Sequence, residues 1–184
     1  MTQPAKAAYL VYFDATDLAW CPDIGPGYVL KGQQLKVDSP GQANPWRALL
    51  GSLVYPSGEG LYTIHQKKRH QELRVHLDRL MAFDPEAFWF VVLDNASAHT
   101  TDQLEPFWQT HRQHLEPVFL PTYSPHLNLI ERLWRLMRGQ VTKNQFYKSL
   151  ILLCEAVVEW LQRLPFHKFC SLMGIDQYDL SFVF

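Results

Sequence analysis

Phe88-Trp89-Phe90-Val91-Val92-Leu93-Asp94 decides the fold: six apolar residues in an unbroken run, closed by a carboxylate. A run this short and apolar at every position suits a strand buried on both faces. Working outward, Ala7 to Phe13 (AAYLVYF) is a second such run, and it too stops at an acid, Asp14. Strands of this kind need helices on both sides of their sheet, and the sequence supplies them. Leu73, Leu77, Leu80 and Met81 recur at helical spacing after Gln66, with Lys67, Lys68, Arg69, Arg74 and Arg79 on other faces. Thr100-Thr101-Asp102-Gln103 has capping-box spacing and predicts a helix to about Gln113. Asn128 to Arg138 and Leu150 to Leu164 predict two more. Trp46 to Tyr55 and Leu61 to Ile64, joined by Ser57-Gly58-Glu59-Gly60, read as a hairpin. Tyr28-Val29-Leu30 and Pro117 to Leu120 read as short strands. The order β, hairpin, α, β, α, β, α, α predicts an α/β fold, a central mixed sheet flanked by helices, in a single domain over residues 1–184.

Composition agrees and excludes other classes. The 184 residues are 47% hydrophobic and 14% aromatic, enough for a core and far from a disordered composition. No apolar run approaches the ~20 residues of a membrane helix, and MTQPAKAAYLVYFDATD does not read as a signal peptide. Cys21, Cys154 and Cys170 are odd in number, far apart and without a CxxC pair, so they read as reduced thiols of a cytoplasmic protein. With 17 Lys plus Arg against 18 Asp plus Glu, the net charge is −1. Bulk charge therefore does not draw this chain to nucleic acid, and any such contact must run through local basic patches.

Three acids stand out. Asp14 and Asp94 each follow an apolar strand, and in open α/β sheets ligands sit beyond the strands' carboxyl ends. Glu131 lies in the first turn of the Asn128–Arg138 helix. If that helix crosses the two strand ends, three carboxylates converge. Such a cluster repels itself and raises its own proton affinity unless a divalent cation joins it. Mg²⁺ prefers hard oxygen ligands and keeps positions open for phosphate oxygens. Each acid also has a plainer role: Asp14 and Asp94-Asn95 suit turns, and Asn128-Leu129-Ile130-Glu131 has capping-box spacing.

VVLDNASAH (Val91–His99) and LPTYSPHLNLIERLWRLMRGQVT (Leu120–Thr142) resemble the second and third blocks of DDE transposases, in the bacterial insertion-sequence branch of the mariner superfamily. YFDATD is similar to the first block, and 36 residues lie between Asp94 and Glu131. The resemblance spans roughly Tyr9 to Leu164. It implies a ribonuclease H-like fold and a catalytic triad of Asp14, Asp94 and Glu131 holding two Mg²⁺ or Mn²⁺ ions. It also implies DNA cleavage and strand transfer at transposon ends, a homodimer in the synaptic complex, and a bacterial cytoplasmic, nucleoid-associated location. Asp14 is followed by Ala15 where many relatives carry Glu, with Asp17 three positions on; the apolar strand ends at Asp14, which favours it. Leu129 stands where relatives often have Pro. His99, Asn95 and Asn128 fall within the matching blocks as supports for the acids. The helix-turn-helix domains that usually precede such a core are absent from this sequence, which fits a second reading frame joined by frameshifting, a truncated copy or an isolated domain, with a separate or frameshift-fused polypeptide as a candidate partner that carries them.

Basic residues gather beside the third acid. Between Tyr123 and Lys148 there are five Lys or Arg and one acid. Arg132, Arg135 and Arg138 share a flank of one helix; with Lys143, and with Lys67, Lys68 and Arg69 upstream, they are the candidate DNA contacts. Trp134 reads as a core residue. His111 and His114 have no third ligand at zinc spacing, and no GxSxG, P-loop or GxGxxG is present. Two other functions fit the same residues: a catalytically inactive, domesticated DNA- or partner-binding remnant, and a ribonuclease H-like nuclease acting on other nucleic acids.

Overall fold

Residues 7–41, 44–122 and 124–175 are described by the structure, a computed structural model. The apolar runs pair into one five-stranded sheet, ordered β3-β2-β1-β4-β5. Strand β1 (Ala8–Ala19) is central. It pairs antiparallel with β2 (Trp46–Tyr55), which turns back into β3 (Gly60–His65). On its other side it runs parallel to β4 (Phe88–Leu93), which runs parallel to β5 (Leu115–Phe119).

Alternation along the strands divides the core into two layers. Val11, Phe13, Ala48, Leu50, Val91 and Leu93 face Leu73, Leu77 and Leu80 of α1 (His70–Met81) and Phe107 of α2 (Glu105–His111). Leu18, Leu49 and Leu53 face Ile130, Leu133, Trp134 and Met137 of α3 (Ile130–Met137). That second layer also takes Leu153, Val157 and Leu161 of α4 (Leu150–Arg163), with Phe169 and Met173 of α5 (Phe166–Met173). Each fully buried large apolar side chain stabilises the fold by about 1.5–3 kcal/mol, so the sheet is held firmly between its helices. Caps fix where two helices start. Glu72 accepts from the Arg69 N–H ahead of α1, and the Ser149 hydroxyl accepts from Leu152 N–H at 3.2 Å ahead of α4.

Several expectations are corrected. β1 does not end at Asp14 but runs to Ala19, because the β2 ladder continues after the parallel pairing with β4 stops at Tyr12–Val92. Tyr28-Val29-Leu30 forms no strand and is exposed. The helix expected from Thr100 begins as a 3-10 turn (Asp102–Leu104), and α2 is short, with Pro106 in its first turn. Lys67 and Lys68 precede α1 and are not part of it. Past Met137 the chain widens into a π-helical segment, Arg138–Thr142.

Candidate active site

The parallel register of β1 on β4 pairs Val11 with Val91 and Tyr12 with Val92. Continued by two residues, it sets Asp14 level with Asp94, where β4 has ended and β1 goes on. Both acids, with Lys68, Arg69 and His99, line one cavity of about 240 Å³. Glu131, in the first turn of α3, does not line that cavity but a separate cleft of about 650 Å³, with Arg135, Arg138 and Lys143. The three acids interact. Burial raises the Asp14 carboxyl first, the Glu131 charge raises it further, and Asp94 adds to both, carrying it to about 7 against an ordinary 3.8. Among the described residues, no three acidic, His or Cys side chains stand close enough to form a finished metal cage.

Each strand acid is held by one oxygen. Trp134 Nε1–H donates to Asp14 Oδ2 at 2.9 Å. His99 Nδ1 lies 2.7 Å from Asp94 Oδ1 and 3.3 Å from the Asp94 carbonyl. Since both neighbours are oxygens, Nδ1 carries the hydrogen and donates. Ala96 N–H donates to the same Oδ1 at 3.1 Å. The His99 bond is the main reason the Asp94 carboxyl is lowered, against the opposing effect of burial. His99 is 6% exposed and meets the edge of Phe13, so its ring is fixed. The second oxygen of each carboxylate has no side-chain hydrogen-bond partner among the described residues.

Asn128 and Asn95 brace the site. Asn128, buried, donates from Nδ2 to the Phe13 carbonyl at 2.8 Å, which ties the entry of α3 to the backbone just before Asp14. It does not cap α3, whose N-cap is Leu129, and no capping box occupies Glu131. Asn95 Nδ2 donates to the Leu120 carbonyl at 2.5 Å, joining the ends of β4 and β5. Asp17 lies on the opposite side of β1 from Asp14 and pairs with Lys68 at 2.9 Å.

The seven candidate DNA cations divide. Lys67, Arg69, Arg135 and Lys143 are exposed and form no ion pair among the described residues. Arg132 donates from Nη1 to the Leu172 carbonyl at 2.7 Å, holding α5, and Arg138 donates from Nη2 to Thr16 Oγ1. Two contributors were missed at the sequence level: Trp134 as a donor to Asp14, and Gly51, which makes room for it. An isolated glycine inside the strand pattern WRALLGSLVY was the available signal, since it marks a close approach.

Sheet order and strand directions, with Asp94 just past the end of β4 and Asp14 in β1 just past the last parallel pair, match a ribonuclease H-like core. Its likeness to solved structures agrees. The Mos1 mariner paired-end complex with Mn superposes with a TM-score of 0.69 at 19% identity, over 90% of this chain and 51% of that one. The HTLV-2 integrase catalytic core with magnesium gives 0.52 at 14% identity, over 88% of each chain. Residues 9–154 match the family model described as DDE superfamily endonuclease, and the chain belongs to that family. Among curated proteins, an insertion element IS630 39 kDa protein of Shigella sonnei is 29% identical over 157 residues, 84% of this chain and 45% of that protein. Protein y4pE/y4sA of Sinorhizobium fredii is 26% identical over 105 residues, 56% of this chain and 74% of that one. The chain thus spans about half the length of the Shigella relative. Among the described residues, no helix is long and apolar enough to cross a membrane.

Proposed function

We propose that this chain is the catalytic core of an insertion-sequence transposase, cutting DNA at transposon ends and joining the freed ends to target DNA. The observation that carries the reading is that Asp14 of β1 and Asp94 just past β4 line one cavity, while α3, which bears Glu131 in its first turn, is hydrogen-bonded to Asp14 through Trp134. Family membership and the transposase neighbours support it.

Asp14, Asp94 and Glu131 are the proposed ligands of two divalent cations, Mg²⁺ or Mn²⁺. The donor set fits them: all are hard oxygens, the second oxygen of each strand acid has no side-chain hydrogen-bond partner among the described residues, and the raised Asp14 carboxyl is one that a cation's charge would lower. When bound, such ions supply an activated nucleophilic oxygen and stabilise the leaving oxygen. The chain's own residues do the rest. His99 keeps Asp94 ionised and oriented, and Asn128 holds α3, and so Glu131, against β1. Lys67 and Arg69 on one side, and Arg135 and Lys143 on the other, face the phosphates of the bound strand. Cleavage forms a bond from a water oxygen to phosphorus and breaks the bond to the 3′-oxygen, which leaves as a hydroxyl. In transfer, that hydroxyl oxygen attacks a target phosphodiester and displaces its 3′-oxygen. Recognition of the ends is assigned to a separate or fused helix-turn-helix polypeptide, and synapsis of two ends to a homodimer.

The test is cleavage of DNA carrying insertion-sequence ends, with Mg²⁺ or Mn²⁺, by the wild-type chain and by Asp94→Asn. Loss of cleavage in the variant is expected; equal cleavage by both would remove the triad assignment. Cleavage confined to RNA–DNA hybrids would instead favour a nuclease of other nucleic acids.

A further inference from the structure

We infer that Trp134 is a positioning residue for the Asp14 carboxylate and that Gly51 is the residue that admits it, an inference resting on the metal-site reading above. The three residues come from three elements and meet at one point. Gly51 of β2 is the direct cross-strand partner of Asp14 in β1. Trp134 lies on α3 one turn beyond Glu131, so one helix carries both the third acid and the donor to the first. The indole covers the backbone at Gly51 so closely that a Cβ there would lie 2.6 Å from Cη2 and 2.7 Å from Cζ2. Tyr62 meets the ring edge-on from β3, with centroids 6.2 Å apart.

This packing decides what the N–H can do. Trp134 is 1% exposed, so water does not reach its nitrogen. Asp14 Oδ2, at 2.9 Å, is its hydrogen-bond partner among the described residues. A buried donor must be satisfied inside the protein, so the ring fixed by Gly51 in turn fixes one carboxylate oxygen. The other oxygen is left to a cation without the carboxylate having to be immobilised on binding. Asp94 has the same arrangement through His99. Residues that orient metal ligands in this way typically change metal affinity by about 10–100-fold when lost.

The test titrates Mn²⁺ alone into the whole chain and follows the free ion by electron paramagnetic resonance. Four proteins are compared: wild type, Asp14→Asn, Trp134→Phe, and the chain with benzothienylalanine at position 134, which keeps the fused ring but replaces N–H by sulfur. Asp14→Asn is expected to abolish tight binding. Both Trp134 variants are expected to weaken it by about tenfold or more, with the benzothienyl protein unfolding near the wild-type temperature when metal is absent. Wild-type Mn²⁺ affinity in the benzothienyl protein would overturn the inference, because only the N–H has been removed. A fall in unfolding temperature of either Trp134 variant with no change in Mn²⁺ affinity would mark the residue as core alone and overturn it equally. If Asp14→Asn binds Mn²⁺ as wild type does, the metal site itself is wrong, a failure told apart by the variant that shows it.

Discussion

Alanine at Gly51 tests how α3 is seated on the sheet. In a strand with room for a side chain, alanine is preferred to glycine by roughly 0.5–1 kcal/mol. Gly51 has no such room: the added Cβ would lie 2.6 Å and 2.7 Å from the outer carbons of Trp134 and 2.9 Å from Ile130 Cδ1. Carbon atoms rest at about 3.5–4.0 Å, so the indole would have to retreat by about 1 Å. Neither neighbour yields easily, since Trp134 is 1% and Ile130 0% exposed. Overpacking of this kind costs about 1–3 kcal/mol, and after the backbone gain a net loss of roughly 1–2 kcal/mol is expected. At about 2–4 °C per kcal/mol for a chain of this size, Tm should fall by about 2–8 °C. Thermal and urea unfolding of the metal-free chain would measure it. The cause is isolated by repeating the substitution in Trp134→Phe, which lacks the two carbons nearest the new methyl. There Gly51→Ala should cost less, keeping only the contact with Ile130, and the difference between the two backgrounds gives a coupling energy of about 1 kcal/mol. Equal losses in both backgrounds, or a gain in the wild-type background, would refute the proposed contact.

Two further outcomes follow from the site's electrostatics. Asp14 is carried to about 7 in the folded chain from an ordinary 3.8, so the stability it contributes is complete below about pH 3.8 and is lost as pH rises towards 7. Without metal, Asp14→Asn should therefore gain in Tm over wild type between pH 5 and pH 8; a difference independent of pH would refute the raised carboxyl. For DNA, Arg135→Ala and Lys143→Ala should each reduce the slope of log affinity against log salt by about 0.9. Arg132→Ala should leave that slope unchanged and lower Tm, because its guanidinium already serves the Leu172 carbonyl; a binding titration at several salt concentrations separates the cases.

The strands were legible because their residues have one physical use. Phe88–Leu93 is too apolar for any exposed element, and it forms β4 over that same range. The extension of β1 past Asp14 was not legible, because ThrAspLeuAla carries no apolar run. It is held by ladder bonds to β2, a partner that sequence order alone does not disclose. The acids were legible as candidates through the resemblance. Whether Glu131 served as a helix cap was open at the sequence level, since Asn128 and Glu131 have the spacing of one. The structure decides against the cap because Asn128 turns its amide to the Phe13 carbonyl instead. Trp134 was rightly read as core, but burial hid its second role: an indole is a donor at one edge only, and which edge meets Asp14 depends on how α3 crosses β1. Arg132 and Arg138 were legible as cations on a helix flank, and spacing does not disclose the carbonyl or hydroxyl that the flank also meets.

The near-neutral charge acquires a structural meaning from this division. Lys68 is committed to Asp17, Arg132 to α5 and Arg138 to Thr16. Among the described residues, Lys67, Arg69, Arg135 and Lys143 are the candidate cations whose side chains carry no hydrogen bond or ion pair, Arg69 lining the cavity of Asp14 and Asp94 and Arg135 and Lys143 the cleft of Glu131. Each phosphate contact contributes about 0.9 to the salt slope, so four give a slope of roughly −3 to −4. Proteins with six to ten phosphate contacts lose about 10³–10⁵ in affinity between low and moderate salt, and much of their binding is electrostatic. Four such contacts alone would hold DNA weakly. The carboxylates beside them weaken the hold further until cations offset them, so the same ions proposed for the chemistry also turn the working face positive. Under the proposed function, such a charge pattern would place a phosphate without choosing the sequence around it.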